Sequence, residues 1–587
     1  MNRKSNYDKY PTIAVTGHED DCVCNWPAIG ERLREAVAAR GAQAIVVDTY
    51  PGVLDEDVLP TIIEQLKPTL VVRTDECLKP SQEILTFTER EFWADDAVFG
   101  RLSTRRLEEF FDSDKLSQAK SRISQHANGL VLIYGVGGSM LAGNALLVYA
   151  DIARWEIQMR QRRKQVHGIG VDDSRLSAWE QYKRGFFIDW RVTDRHKRSI
   201  WNRIDFFLDT NDRKTPKLAT ANAVREGIRR CTERPFRVVP FFDPGVWGGQ
   251  WMKDVCDLDR DVVNFAWCFD CVPEENSLLL GFGQTRFEIP SINLVHQHPR
   301  ALLGEAVYGR FGAEFPIRFD FLDTMNGGNL SLQVHPLTDY IQQTFGMPYT
   351  QDESYYMLDA SNDACVYLGF RDDVDPTQFV AALEDAQANA NKPLDAEKFV
   401  NRIPARKHDH FLIPAGTIHC SGKNSMVLEI SATPYIFTFK LWDWGRVDLN
   451  GKPRPISIGH GKPNLDYSRN TEWTKNNLVN RFELIAAGPD WREERTGLYV
   501  SEFIETRRHW FSGKVTHQTN GGVNVLNLVE GEEAIVESPS GAFEPFIVHY
   551  AETFIIPAAV TEYTIRPSGP STGSTIATMK AFVRSRP

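Results

Sequence analysis

The chain of 587 residues lacks any apolar run approaching the roughly 20 residues that a membrane helix needs. No bilayer-spanning role is expected. Its start, MNRKSNYDKYPTIAV, has no apolar core followed by a small-residue cleavage site, so no signal peptide is expected and the protein reads as cytoplasmic. Cysteine is sparse: nine residues, scattered and odd in number, suit a reducing compartment better than a disulfide framework. Cys268 and Cys271 form a lone CxxC, and Cys22 and Cys24 a CxC. Without a second pair at zinc-ribbon spacing, both are read as core or loop cysteines. Positive charge is also in deficit, and a formal net charge of −11 argues against a nucleic-acid partner. The local exception is RWEIQMRQRRK, where Arg154, Arg160, Arg162, Arg163 and Lys164 recur at helical spacing. This segment is read as a solvated helix face.

The length exceeds what one core supports and implies several domains. Residues 1–235 alternate short β-rich runs with helical patterns: TIAVTG, IGERLREAVAARG, AIVVDT, TLVVRTDE, GLVLIYGVGG and ALLVYAD. Such alternation predicts an α/β domain with a mostly parallel sheet and crossover helices. Its glycine-rich segment YGVGGSMLAGNA, Tyr134 to Ala145, follows an apolar strand, where phosphate-binding loops sit. Gly138 and Gly143 have the separation of a P-loop, but Asn144 and Ala145 replace the lysine and the hydroxyl that grip phosphate and Mg²⁺. A P-loop-like domain that is vestigial or only binds is expected, rather than an active kinase.

From about residue 236 the texture changes to short β runs separated by Gly, Pro, Asn and Asp. IRFDFLDT, LSLQVHP, SYYMLDA, CVYLGF, HFLIPAG, SMVLEI and IFTFKLWDW predict an antiparallel domain over 236–475, with one helical insert at DPTQFVAALEDAQANA. A second β unit is predicted over 476–587. There FIIPAAVTEY stands where the first unit has FLIPAGTIHC. The turn is kept and the histidine lost, so His509, His517 and His549 are not expected to make a second metal site.

The segment SLQVHP carries the most chemistry. Strand side chains alternate faces, so Gln333 and His335 point the same way. Glu353, in ESYYML, and His419, beyond a Pro-Ala-Gly turn, complete a set of two imidazoles, a carboxylate and an amide. Four N/O donors suit a borderline divalent ion such as Zn²⁺.

Taken in order, VWGG, FPIRFDFLDT, SLQVHP, DESYYMLDA, CVYLGF, IPAGTIHCSGK, VLEIS and LWDWGRVDLNGKPRP resemble the class I mannose-6-phosphate isomerases over roughly 241–462. The resemblance implies two cupin-type barrels after the α/β domain and one Zn²⁺ per chain on Gln333, His335, Glu353 and His419. It implies interconversion of mannose 6-phosphate and fructose 6-phosphate through an enediolate. A sugar phosphate is the expected partner, with no nucleic acid and no membrane.

The chain departs from the family in two places. Gln351 stands where a lysine is usual, two residues before the Glu ligand, and Lys440 where an arginine is usual. An amide neither shuttles protons nor binds phosphate as a cation. Lys440 and Arg446 are therefore the expected catalytic cations, with Lys423, Lys452 and Arg454 able to compensate and Asp320 or Glu429 to supply a carboxylate. His296 and His298 are candidates for the cavity mouth or a turn before Pro299. The alternatives are a cupin isomerase for a different or non-phosphorylated sugar, or a sugar-binding regulatory protein with an inactive barrel.

Overall fold

In a computed structural model, residues 5–389, 392–432, 435–447, 454–497 and 499–584 are described. The chain divides into two units, one of Thr12–Arg230 with Ser277–Gln297, the other of Met1–Pro11, Cys231–Asn276 and His298–Pro587.

The first unit is built on a seven-stranded sheet in the order Cys22–Cys24, Lys217–Thr220, Phe206–Asp209, Leu146–Asp151, Ala44–Thr49, Val131–Gly135, Leu70–Arg73. The last five of these pair in parallel, and the first two are antiparallel additions. AIVVDT and LLVYAD are almost continuously buried, as strands covered on both faces must be. TIAVTG does not join this sheet. Thr12–Ala14 pairs with Ser277–Phe282 in a separate three-stranded sheet, so the hairpin 277–290 groups with the α/β unit although it lies within the β-rich sequence.

The P-loop expectation is corrected. Tyr134 to Ala145 makes a single 3₁₀ turn, Gly138–Met140, and runs into the strand Leu146–Asp151 instead of opening a helix. Its amides are already satisfied from within: Gly137 N and Ser139 N donate to Asp48 at 2.9 and 3.1 Å. An internal carboxylate thus takes the place a phosphate would have.

The basic helix forms at Arg154–Arg162; Arg162, Arg163 and Lys164 are exposed as expected, but Arg154 and Arg160 are not. Arg154 and Arg160 are both 1% exposed. Arg154 pairs with Asp194, and Arg160 bonds Glu156 and the carbonyls of Gly52 and Thr210. Guanidinium groups enter an interior only with acceptors on hand.

In the second unit, one six-stranded sheet runs His410–Ile413, Glu353–Ala360, Ser425–Ser431, Arg318–Asp323, Trp267–Cys271, Phe241–Asp243. A five-stranded sheet runs Val400–Pro404, Cys365–Phe370, His419–Ser421, Leu332–Val334, Phe439–Trp442. Between Cys365–Phe370 and Val400–Pro404 lies the expected helical insert, Pro376–Ala388. Pro376 is preset for its first turn, and the Asp375 carboxylate accepts from Thr377 N and Gln378 N.

The C-terminal strands form another pair of sheets, of six and four strands, around a core that includes Phe511, Leu526, Phe554 and Tyr563. The expected closed barrels are not observed: among the described residues each pair of sheets remains open, with no ladder joining one sheet to its partner. In the first pair, polar side chains from the two sheets meet where Glu353 contacts His335 and His419. No helix among the described residues is long and apolar enough to cross a membrane.

Candidate metal centre

Strand register assembles the centre. Gln333 lies opposite both His419 and Lys440 on its two neighbouring strands, so the three side chains share one face of the five-stranded sheet. On the six-stranded sheet, Asp320 is opposite Glu429, which is opposite Tyr355; Glu353, two residues from Tyr355, points the same way.

The two faces meet at Glu353. One of its oxygens, Oε2, lies 2.9 Å from His335 Nε2, and Oε1 lies 2.9 Å from His419 Nε2. All three side chains are fully buried, and these donor atoms lie within 4.8 Å of one another. Gln333 closes the fourth side, its amide 3.2 Å from His419 Nε2. The four expected ligands are thereby brought together.

The imidazole tautomers follow from backbone contacts. His335 Nδ1 donates to the Phe437 carbonyl and His419 Nδ1 to the Thr417 carbonyl, both at 2.8 Å. Each Nε2 then presents a lone pair toward a carboxylate. Consistently, His335 Nε2 and Glu353 Oε1 are buried without a well-formed hydrogen bond. Acceptors facing acceptors in a dry interior are reconciled by a proton on one imidazole or by a metal cation between them. A divalent ion fits this set, and an ion there selects the Oε1 end of the Gln333 amide.

The electrostatics agree. Burial drives the Glu353 carboxyl upward, but the facing His335 and His419 outweigh it and hold it well below the ordinary carboxylate range. Burial lowers both imidazoles; Glu353 reverses the shift at His335, whereas His419 stays below its ordinary value. On the opposite wall, burial and then the charge of Glu353 push Glu429 well above its usual range. Asp320 is also raised by burial, although Arg318 pairs with it and pulls the other way.

Lys440 is half-buried on the face of Gln333, and its amine is lowered to about 7 by burial and by Arg454, against the pull of Asp443. Arg446 is committed elsewhere: it lies 2.7 Å from Asp443 Oδ1 and donates to the Asn329 carbonyl at 2.6 Å. Arg454 lies 2.9 Å from Asp443 Oδ2, and Ser331 Oγ donates to the same carboxylate at 2.7 Å. Lys423 is an exposed partner of Asp363 at 3.3 Å. Lys452 lies outside the described residues. His296 belongs to the α/β unit and His298 to the β unit.

Asp443 and the role of Gln351 escaped sequence reasoning. Asp443 gathers two arginines and a serine, and its position in LWDWGR was the available signal. Gln351 is a structural partner of the ligands rather than a defect: its Oε1 accepts from Phe437 N and its Nε2 donates to Glu353 Oε2, each at 3.0 Å.

Known proteins resemble parts of this chain. A family model described as a domain of unknown function, DUF8485, matches residues 25–233, which carry most of the α/β unit. A mannose-6-phosphate isomerase of Bacillus subtilis is 24% identical over 228 residues, 39% of this chain and 66% of that protein. The chain thus spans just under two thirds of that relative's own length. A mannose-6-phosphate isomerase of Streptococcus mutans is 22% identical over 326 residues, 54% of this chain and 90% of its own. The crystal structure of the mannose 6-phosphate isomerase from Bacillus subtilis aligns with 59% of this chain and 99% of its own, at 18% identity and a TM-score of 0.48. Part of this chain is therefore homologous, at low identity, to proteins bearing the name mannose-6-phosphate isomerase.

Proposed function

We propose that this chain is a metal-dependent aldose–ketose isomerase interconverting mannose 6-phosphate and fructose 6-phosphate, with one zinc ion per chain on Gln333, His335, Glu353 and His419. The observation that carries the reading is the convergence of two imidazole lone pairs on the two oxygens of one buried carboxylate. Bound there, zinc would polarise the sugar carbonyl and offset negative charge on the substrate oxygens as C2 or C1 loses its proton.

The chain's own residues supply the rest. Lys440 shares the face of Gln333, and its amine, lowered to about 7, can accept a proton from one sugar carbon and return it to the next. Gln351 cannot take that role, because both ends of its amide are engaged by Glu353 and Phe437. Glu429, held toward its protonated form by burial, offers an O–H to a sugar hydroxyl from the opposite wall. Arg454, near enough to Lys440 to lower its amine, would meet the phosphate end of the substrate.

One observation favours a second reading, a sugar without phosphate. Asp443 pairs with both Arg446 and Arg454 and so reduces the positive charge available to an anion.

The test is metal analysis joined to an isomerase assay on wild type and His335→Ala, across phosphorylated and free aldoses. About one metal per chain and turnover of mannose 6-phosphate are expected, both largely lost in the variant. Preference for a free aldose would select the second reading. Metal binding without turnover of any aldose would overturn both and favour a sugar-binding protein.

A further inference from the structure

The α/β unit encloses a cavity of about 390 Å³, within the roughly 300–1,000 Å³ typical of small-ligand sites. It lies over the carboxyl ends of three neighbouring parallel strands, Ala44–Thr49, Val131–Gly135 and Leu70–Arg73, and residues 165–170 supply a further wall. From Ala44–Thr49 the chain leaves through the helix Asp55–Leu66 to Leu70–Arg73 on one side of the sheet, while Leu146–Asp151 and Phe206–Asp209 extend on the other. Open α/β sheets bind ligands in the crevice at such a switch point.

The lining specifies which chemistry fits. Residues Tyr50 to Leu54 connect strand to helix, the placement of a phosphate loop, yet they include no lysine or arginine. The helix that follows opens with Asp55, Glu56 and Asp57. Arg73, a cation of the lining, is gripped by Asp75 at 3.0 and 2.7 Å and approached by Asp55 at 3.5 Å. Arg213 pairs with Glu56 and Asp57 at 3.0 and 2.6 Å. Three lining carboxylates, Asp55, Glu56 and Asp75, thus stand with one lining guanidinium, Arg73, while Asp57 and Arg213 pair beside them, and an incoming phosphate meets a net negative rim. Asp55 Oδ1 already accepts from the Tyr134 hydroxyl at 2.9 Å, and since each carboxylate oxygen can accept a second hydrogen bond, this lining suits hydroxyl donors carried on a ring that packs against Tyr50 and Tyr134.

We propose that this crevice is a second ligand site, which takes an uncharged, hydroxyl-rich ring compound with adjacent hydroxyls and rejects its phosphorylated counterpart. The shared chemistry is a diol against Asp55 and Asp75, and its source is a free sugar or the ribose of a nucleoside. The site is independent of the metal centre.

The test is calorimetric titration of the full chain with D-mannose, adenosine and AMP, repeated on Asp55→Asn, Glu56→Gln and His335→Ala. Saturable binding of D-mannose or adenosine is expected. It should weaken about tenfold in Asp55→Asn, as loss of a charge-assisted hydrogen bond implies, and persist in His335→Ala. AMP should bind at least about tenfold more weakly than adenosine, and removal of one rim charge in Glu56→Gln should narrow that gap. Binding of mannose alone assigns a free sugar, and of adenosine alone a nucleoside. Tighter binding of AMP than of adenosine, binding unchanged in Asp55→Asn, or no binding of either neutral probe at millimolar concentration would overturn the proposal. Aldose turnover retained in Asp55→Asn would leave the isomerase reading intact when this one fails.

Discussion

Gln351 donates from Nε2 to Glu353 Oε2 at 3.0 Å while its Oε1 accepts from Phe437 N, and the Phe437 carbonyl in turn accepts from His335 Nδ1. The loop closes where His335 Nε2 meets Glu353 Oε2 at 2.9 Å. One amide therefore orients two metal-ligand candidates at once. Gln351→Ala is expected to lower metal affinity about 10- to 100-fold, the usual cost of losing an orienting partner. Competition with a graded chelator measures this, and an unchanged affinity would remove Gln351 from the centre's support.

Glu353→Gln separates metal binding from fold stability. The amide keeps the shape but not the charge, and in the metal-free protein Glu353 and His335 each favour the other's charged form. The metal-free variant should therefore melt no higher than metal-free wild type, while the stabilisation that zinc confers on wild type should nearly vanish. Thermal melts with and without chelator decide it. Equal zinc stabilisation in both proteins would mean that Glu353 is not a ligand.

The amine of Lys440 is lowered to about 7, so its proton-accepting form grows as pH rises through that value. The rate of aldose turnover should rise along an acidic limb centred there. Lys440→Met should abolish the limb and most of the rate while leaving the metal bound. A limb that survives in the variant would assign the proton transfer elsewhere.

In the α/β unit, His196 Nε2 lies 2.9 Å from Asp48, whose carboxyl also holds the glycine-rich loop. Burial lowers the imidazole, but Asp48 outweighs it and leaves His196 above its ordinary 6.5. Burial raises Asp48, yet His196 and Ser139 bring it below its ordinary 3.8. The His196 contribution is therefore complete below about 6.5 and is lost as pH rises through its higher folded value. That of Asp48 is present above about 3.8 and lost as pH falls through its lower folded value. Urea unfolding monitored on the α/β unit should show greatest stability between these limits. Asp48→Ala, which leaves buried donors unpaired, should cost about 3 kcal/mol. A cost under about 0.5 kcal/mol, the scale of an ordinary surface change, would show that the loop is held by other contacts.

Much of the candidate site was legible because its donors belong to short strands. Gln333 and His335 alternate to one face whatever the fold does around them, and Glu353 and His419 sit in segments whose apolar flanks demand burial. The glycine-rich loop was legible as a turn but not as to its ligand. Its amides go to Asp48, 89 residues from Gly137, and nothing local distinguishes that partner from a phosphate. The basic helix misled for a similar reason: Asp194, the partner that lets Arg154 be buried, lies 40 residues away.

The sequence by itself determined the kinds of donor and acceptor available, the alternation of faces along each strand and the change from parallel α/β to antiparallel β texture. These depend on side-chain chemistry and on backbone periodicities of 2.0 and 3.6, which act within a few residues. Only the tertiary structure decided which acceptor each donor meets. It joined the hairpin 277–290 to the α/β unit, left the facing sheets open, turned Gln351 from a missing lysine into a brace, and committed Arg446 to Asp443. Pairings of that kind are won by whichever partner the packing of distant segments brings within about 3 Å, a competition that local sequence does not encode.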